Sequence, residues 1–186
     1  RQGAEKGTLT LKAPPQLLFK DYCRSMGEDL KKSAEYERCL AFWRGRMSDL
    51  PPAPTLPTRT EAHNASRFVN RHRWLTPEQW AHARMNCARN GVTVPAMLLA
   101  CYSIALQVWS GQDRFLLNIL LCLRHQVHAD VNRLVGNCSS TLLCAVDLGG
   151  SGEDGKHPCS FRTAVQRLAT EVSTNLEYAL DRKSVV

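Results

Sequence analysis

Apolar residues recur along this chain in two periods, and the change from one to the other outlines its elements. Leu17, Leu18 and Tyr22 share one side of a helix expected over Gln16–Leu30. Ser33 is a good N-cap, and Tyr36, Leu40, Trp43 and Met47 follow at helical spacing, which predicts a second helix with one buried stripe. Thr76-Pro77-Glu78-Gln79 opens a third: Thr76 caps it, Pro77 suits the first helical position, and Gln79 completes a capping box. Asn90-Gly91 ends that helix, with the glycine in the left-handed region. Thr93 caps a fourth, running to Ser110, whose apolar residues go nearly all round; it should be buried on most sides. Ser160 caps the last, with Phe161, Val165, Leu168, Val172, Leu176 and Leu180 on one face.

The remaining apolar stretches are too short or too continuous for that period. Phe115–Leu123 is broken only by Asn118, and Leu142–Leu148 is a second run; such runs fit strands covered on both faces. Arg67–Leu75 reads as a strand of mixed polarity. LPPAPTLPTR, residues 50–59, has four prolines in seven positions and reads as a stiff extended connector. GGSGEDGKHP, residues 149–158, reads as a surface loop. Residues 1–15 are expected to be a loose entry segment, 16–180 one partial domain, and DRKSVV at 181–186, which breaks the stripe after Leu180, a non-native tail. The chain opens RQGAEKG without Met and reads as a fragment. Alternating helices and central strands make an α/β layer structure.

Composition narrows the class. A length of 186 residues, with 44% apolar and 22% charged, is globular and not disordered. Val94–Trp109 is the longest apolar run; Ser103 and Gln107 interrupt it, and it is too short for a membrane span. The net charge of +7 has its densest cluster at Arg67, Arg71, His72 and Arg73. That patch either meets phosphates or is a solvated strand face; no aromatic platform accompanies it, which favours the second. None of the eight cysteines forms CxxC, and Cys101, Cys122 and Cys144 lie in apolar elements as small hydrophobes. This favours a reducing compartment and a cytoplasmic location.

The chemistry-bearing residues gather in the second half. Asn118 is either a satisfied core amide or a ligand. His125 and His128 in RHQVHAD have metal-like spacing but no clear third ligand, so no metal is expected. Cys138 is either a nucleophile with His128 as its base or a buried small residue. Ser139 and Ser140 either donate to a substrate carbonyl or bind the turn backbone. Taken alone, these residues specify only an α/β domain.

The order of blocks goes further. FKDYC at 19–23 is followed by YERCLAFWRGRMSDLPPAPTLPTR from Tyr36 to Arg59. TVPAMLLACYSIALQVWSGQDRFLLNILL resembles a family pattern TPxxxLxxAYxxVLxxWS followed by FTLNLTL. RHQVHADVNRLVGNCSSTLLCAVD resembles NRxPxHPDVxxLVGDFTSLxLLxVD. The chain thereby resembles the condensation-domain superfamily of nonribosomal peptide synthetases, and most closely its heterocyclization branch.

The resemblance implies an incomplete α/β fold like chloramphenicol acetyltransferase, holding the end of the first lobe and the start of the second. It implies partner carrier domains and adjacent synthetase modules, with phosphopantetheine on the carriers and no cofactor bound directly; no nucleic acid or membrane partner is expected. It further implies joining an acyl thioester to Cys, Ser or Thr and cyclodehydration to a thiazoline or oxazoline. The alternative is a degenerate domain that only docks carriers. The family's catalytic Thr and Asp motifs are expected outside this chain, and RHQVHAD differs from the HHxxxDG of ordinary condensation domains in spacing and context. The substrate-channel candidates are Asn118, Arg124, His128, Asn137, Ser139 and Ser140. Where the family has GDFTS this chain has GNCSS, and Leu123 and Ala129 replace an Asn and a Pro. Loss of a charge-assisted hydrogen bond at Asn137 is expected to cost about 1.5–3 kcal/mol.

Overall fold

Two nine-residue strands, β1 (Arg114–Cys122) and β2 (Ser139–Asp147), pair antiparallel over their whole length, from Arg114 opposite Asp147 to Cys122 opposite Ser139. The computed structural model describes residues 13–58, 70–150 and 159–179. Around the strands stand α1 (Phe19–Arg24), α2 (Ala34–Arg46), α3 (Pro77–Arg89), α4 (Val94–Ser110) and α5 (Phe161–Glu177). The expected entry segment, apart from residues 13–15, and the expected tail lie outside the described residues.

Local sequence sets the helix starts. The hydroxyls of Ser33, Thr76, Thr93 and Ser160 accept from the amides of Tyr36, Gln79, Ala96 and Thr163, and the Thr76 box is closed by the Gln79 side chain. Gly91 and Gly111 follow α3 and α4 at φ of 63° and 69°, a backbone region that side chains penalise. The first helix is shorter than expected. It begins at Phe19 and passes into a π-turn at Ser25–Asp29 and a 3-10 turn at Leu30–Lys32.

Strand alternation divides the sheet into two faces. Phe115, Leu117 and Ile119 pair with Val146, Cys144 and Leu142, and this face packs on Ala96, Ala100 and Leu106 of α4 and Val165 and Leu168 of α5. Phe115, Leu142 and Val146 are fully buried, each such side chain stabilising by about 1.5–3 kcal/mol. Burial also holds the Cys144 thiol protonated, with its pKa pushed up to about 12. The other face departs from the expectation of strands covered on both sides. Asn118, Leu120 and Cys122 are exposed there, Leu120 to 72%.

α4 also differs from its expected all-round burial. Leu98, Tyr102, Val108 and Trp109 stand on its exposed side, because among the described residues only one flank meets α5 and the sheet. Cys101 and Cys122 are exposed instead of acting as core hydrophobes. Residues 70–76 form no strand and are exposed throughout; the capping of α3 ends them, and among the described residues no neighbouring strand offers them a ladder. Residues 67–69, with Arg67, lie outside the described residues.

Both outer edges of the pair carry partners. On the β1 side, Pro52 O accepts from Leu116 N–H at 2.8 Å, and Gln112 Oε1 accepts from Thr55 N–H at 2.6 Å, so the proline connector runs beside the strand. On the β2 side, α5 reaches the backbone with side chains. Glu171 Oε1 accepts from Ala145 N–H at 3.2 Å, and Asn175 Nδ2 donates to Leu143 O at 2.8 Å. Arg46 at the end of α2 completes the cluster, donating to Asn175 Oδ1 at 2.5 Å and to both Glu171 oxygens at 2.9 and 3.1 Å. Trp43 Nε1 donates to Tyr178 O at 2.8 Å, and the Phe42 ring stacks on Tyr178. The end of α2 is thereby fastened to the far end of α5.

Candidate functional site

Of the expected site residues, Ser139 and Ser140 lie at the Cys122–Ser139 end of the strand pair, Asn118 lies at the middle of β1 opposite Leu143, and Arg124, His128 and Asn137 lie on the segment that joins the strands. Asn118 and Ser139 share the open face with Leu120, Thr141 and Cys122. Ser140 pairs with Leu121 and points to the opposite face, the one carrying Leu142 and Cys144. The side-chain period of two thus separates two serines that the sequence expectation had grouped. Asn118 is exposed, which corrects its reading as a core amide.

Asn137 is exposed, and its Oδ1 accepts from Ser139 N–H at 3.0 Å. This is an Asx turn, and an amide oxygen makes it as a carboxylate would. The change from Asp to Asn in GNCSS therefore keeps the backbone bond and removes only the charge. Gly136 stands before it beneath the Phe19 ring; a Cβ at Gly136 would overlap Phe19 Cδ2. A side chain at this bend would force the Phe19 ring to move.

The segment from Leu123 to Cys138 is organised by α1 and by Arg124. The Tyr22 hydroxyl, in a residue 5% exposed, accepts from His125 N–H at 3.2 Å. Arg124 donates to Leu134 O at 3.3 Å and Asn132 O at 3.4 Å, and the Cys138 thiol beside it favours its charged form. Tyr22, Val131, Leu134 and Cys138 form a small buried cluster, flanked by Leu17, Phe19 and Met26. Asp130 accepts from Gln16 N–H at 2.9 Å and from Arg133, which hold its carboxyl below the usual range, the Gln16 amide first. Arg133 also donates to Ala13 O.

The two histidines of this segment differ in exposure, His125 being half-buried and His128 open. His128 is exposed, and its Nδ1 accepts from Asp130 N–H at 3.0 Å. Cys138 is buried to 8% exposure against Arg124, in agreement with the small-core reading. Burial pushes the His125 imidazole down, with Glu35 opposing. Among the described residues no three His, Cys, Asp or Glu side chains converge on a common point.

Asn118 and Ser139 therefore present neutral donors and acceptors on an open sheet face, suited to orienting a carbonyl or amide and not to moving a proton. Arg124 acts on the backbone of its own loop. Phe19, Tyr22 and Arg46 lie in blocks that the sequence singles out, but their contacts with Gly136, His125, Glu171 and Asn175 had no signal there, because those partners lie about a hundred or more positions away.

No single described helix is long and apolar enough to cross a membrane; α3 and α4 pass such a test only together, bent by 104°. Comparison with known proteins agrees with the architecture. Phenyloxazoline synthase MbtB of Mycolicibacterium paratuberculosis is 40% identical over 111 residues, 59% of this chain and 9% of that protein. Pyochelin synthetase PchF of Pseudomonas aeruginosa is 24% identical over 166 residues, 89% of this chain and 9% of that protein. Among solved structures, the EpoB NRPS cyclization-docking bidomain of Sorangium cellulosum superposes with a TM-score of 0.73 at 27% identity, covering 93% of this chain and 33% of that one. The nonribosomal peptide synthetase FmoA3 reaches 0.78 at 23% identity, over 94% of this chain and 17% of that one, and shows the fold alone. The chain thus spans a tenth or less of these curated relatives and a third or less of the solved chains. The condensation-domain model matches residues 2–180, a span that takes in the clasp, both strands and every helix, and on that match this chain belongs to the condensation-domain family.

Proposed function

We propose that this chain is part of a heterocyclization domain of a nonribosomal peptide synthetase. The observation that carries the reading is its likeness to a phenyloxazoline synthase, 40% identical over 111 residues, together with the EpoB cyclization bidomain at a TM-score of 0.73. In this reading two carrier domains of adjacent modules deliver substrates as phosphopantetheine thioesters, and the domain binds no cofactor of its own.

The chemistry proceeds in two steps. The amine of a carrier-bound Cys, Ser or Thr attacks the acyl thioester, forming an amide and releasing the donor pantetheine thiol. The Cys thiol or Ser/Thr hydroxyl of that residue then adds to the new amide carbon, and water leaves to give a thiazoline or oxazoline. Ser139 would orient the amide at the Cys122 end of the open sheet face, held in place by the Asx turn of Asn137, and Asn118, four positions along β1 from the partner of Ser139, would line the channel beyond it. Arg124 and His128 would shape the channel wall through the loop, and Ser140, whose side chain points to the core face, would contribute only through the strand backbone it shares with Ser139. Thr and Asp side chains elsewhere in the complete domain would move the protons. The relatives named above are a phenyloxazoline synthase, a pyochelin synthetase and a cyclization bidomain, which disfavours a docking-only role.

The test is to supply the complete synthetase with its acyl donor and a carrier-loaded Cys, Ser or Thr and to weigh the carrier-bound product. A product lighter than the linear amide by one water supports heterocyclization. A linear amide alone assigns ordinary condensation, and unchanged substrates assign a docking role.

A further inference from the structure

A groove at the opposite end of the sheet from Ser139 is not used by the reaction described above. It lies between α3, α4 and the amino end of α5, with a volume of about 300 Å³. Its floor is apolar: Cys87, Val92, Met97 and Val165. Cys87 is 5% exposed, and its Sγ lies 3.5 Å from Met97 Sδ. The rest of the lining is the half-exposed Phe161 ring, the amides of Asn86, Asn90 and Gln166, and one cation, Arg162, with no acidic residue. The first turn of α5 adds a second positive influence, since Phe161 and Arg162 belong to it and a helix amino end favours anions. A floor without polar atoms other than sulfur cannot satisfy a buried charge, so the anionic group must sit at the rim and an apolar body below it.

We propose that this groove binds a small carboxylate with a compact apolar body, its carboxylate on Arg162 and its body over Cys87, Val92 and Val165. The volume is at the lower limit of small-molecule sites and fits a single ring or a short branched chain. The site is separate from the channel. Cys159 N–H donates to Leu148 O, which places the start of α5 at the Asp147 end of β2, the opposite end of that nine-residue strand from Ser139.

Cys87 provides the readout. In the complete synthetase, peptide-level mass spectrometry follows alkylation of Cys87 by a small thiol reagent, with benzoate as the probe and benzyl alcohol as its uncharged counterpart. Benzoate at ten times its dissociation constant is expected to slow Cys87 alkylation about tenfold, as mass action requires. Benzyl alcohol at the same concentration should protect less. Arg162→Gln, at an exposed position, should erase the difference between the probes, and Val165→Trp should remove protection by both. No protection by benzoate, equal protection by the two probes, or undiminished benzoate protection in Arg162→Gln overturns the proposal. A misfolded Val165→Trp leaves the Arg162→Gln comparison decisive.

Discussion

At the scale of single residues, what was legible in the sequence was what local geometry decides. Ser33, Thr76, Thr93 and Ser160 cap where their spacing to the next amides said they would, because a cap needs only the three residues after it. Asn137 shows the limit. Its exchange for the family's Asp looked damaging, yet the amide oxygen still accepts from Ser139 N–H. We therefore expect Asn137→Asp to leave the denaturation midpoint of the complete domain nearly unchanged. Asn137→Ala should cost about 1 kcal/mol, the worth of one turn hydrogen bond. Gly136 carries a steric demand that no local pattern reveals. Gly136→Ala should destabilise by about 1–3 kcal/mol through collision with Phe19. In a Phe19→Ala background the same change should cost much less, and equal costs in both backgrounds would remove the contact from the account. His125 gives a pH signature. Burial holds its folded pKa below the unfolded value of about 6.5, so the unfolded chain binds more protons in that range. Stability should be full above pH 6.5 or so and fall as pH drops through the folded value, and His125→Gln should flatten that limb of the profile.

At the scale of elements, the helices and strands were legible and their surroundings were not. The periodicity located α2 to α5 and both strands, since period alone distinguishes a stripe from an alternation. It did not say what would cover them. α4 is apolar nearly all round, yet Tyr102, Val108 and Trp109 are exposed, and the outer face of β1 is open at Leu120. Those positions carry the composition of a core without its neighbours. Trp74 and Leu75, expected in a strand, stand exposed before α3 because a strand exists only through a partner. The polar cluster of Arg46, Glu171 and Asn175 was invisible for the same reason, as it links α2 to α5 and the edge of β2. Arg46→Leu would leave the Glu171 carboxylate without its cation. The expected loss is about 2 kcal/mol, less than the roughly 3–5 kcal/mol of a fully buried pair, because the two side chains retain 28% and 19% exposure. A double-mutant cycle with Glu171→Gln in the complete domain should show coupling, and additive losses would mean that the two act separately.

At the scale of the whole molecule, the order of blocks was legible where the chemistry was not. FKDYC, the proline connector, the WS-to-FLLN junction and LVGNCSS come in sequence, and the structure explains why they travel together. FKDYC supplies Phe19 and Tyr22, which clamp the bend at Gly136 and the backbone at His125. The proline connector runs beside β1 through Pro52. The family follows from the condensation-domain match over residues 2–180, which spans these blocks. The candidate site, by contrast, was only half legible. The sequence grouped its polar residues, but alternation put Ser139 on the open face and Ser140 on the core face. The central claim is that the complete domain closes a ring. Its most direct test is to weigh the carrier-bound product of the complete synthetase when the acceptor is Cys, Ser or Thr and again when it is Ala, which has no side-chain nucleophile. The account predicts a ring, one water lighter than the linear amide, with the nucleophilic acceptor and only the linear amide with Ala. Linear amides from both acceptors would contradict it.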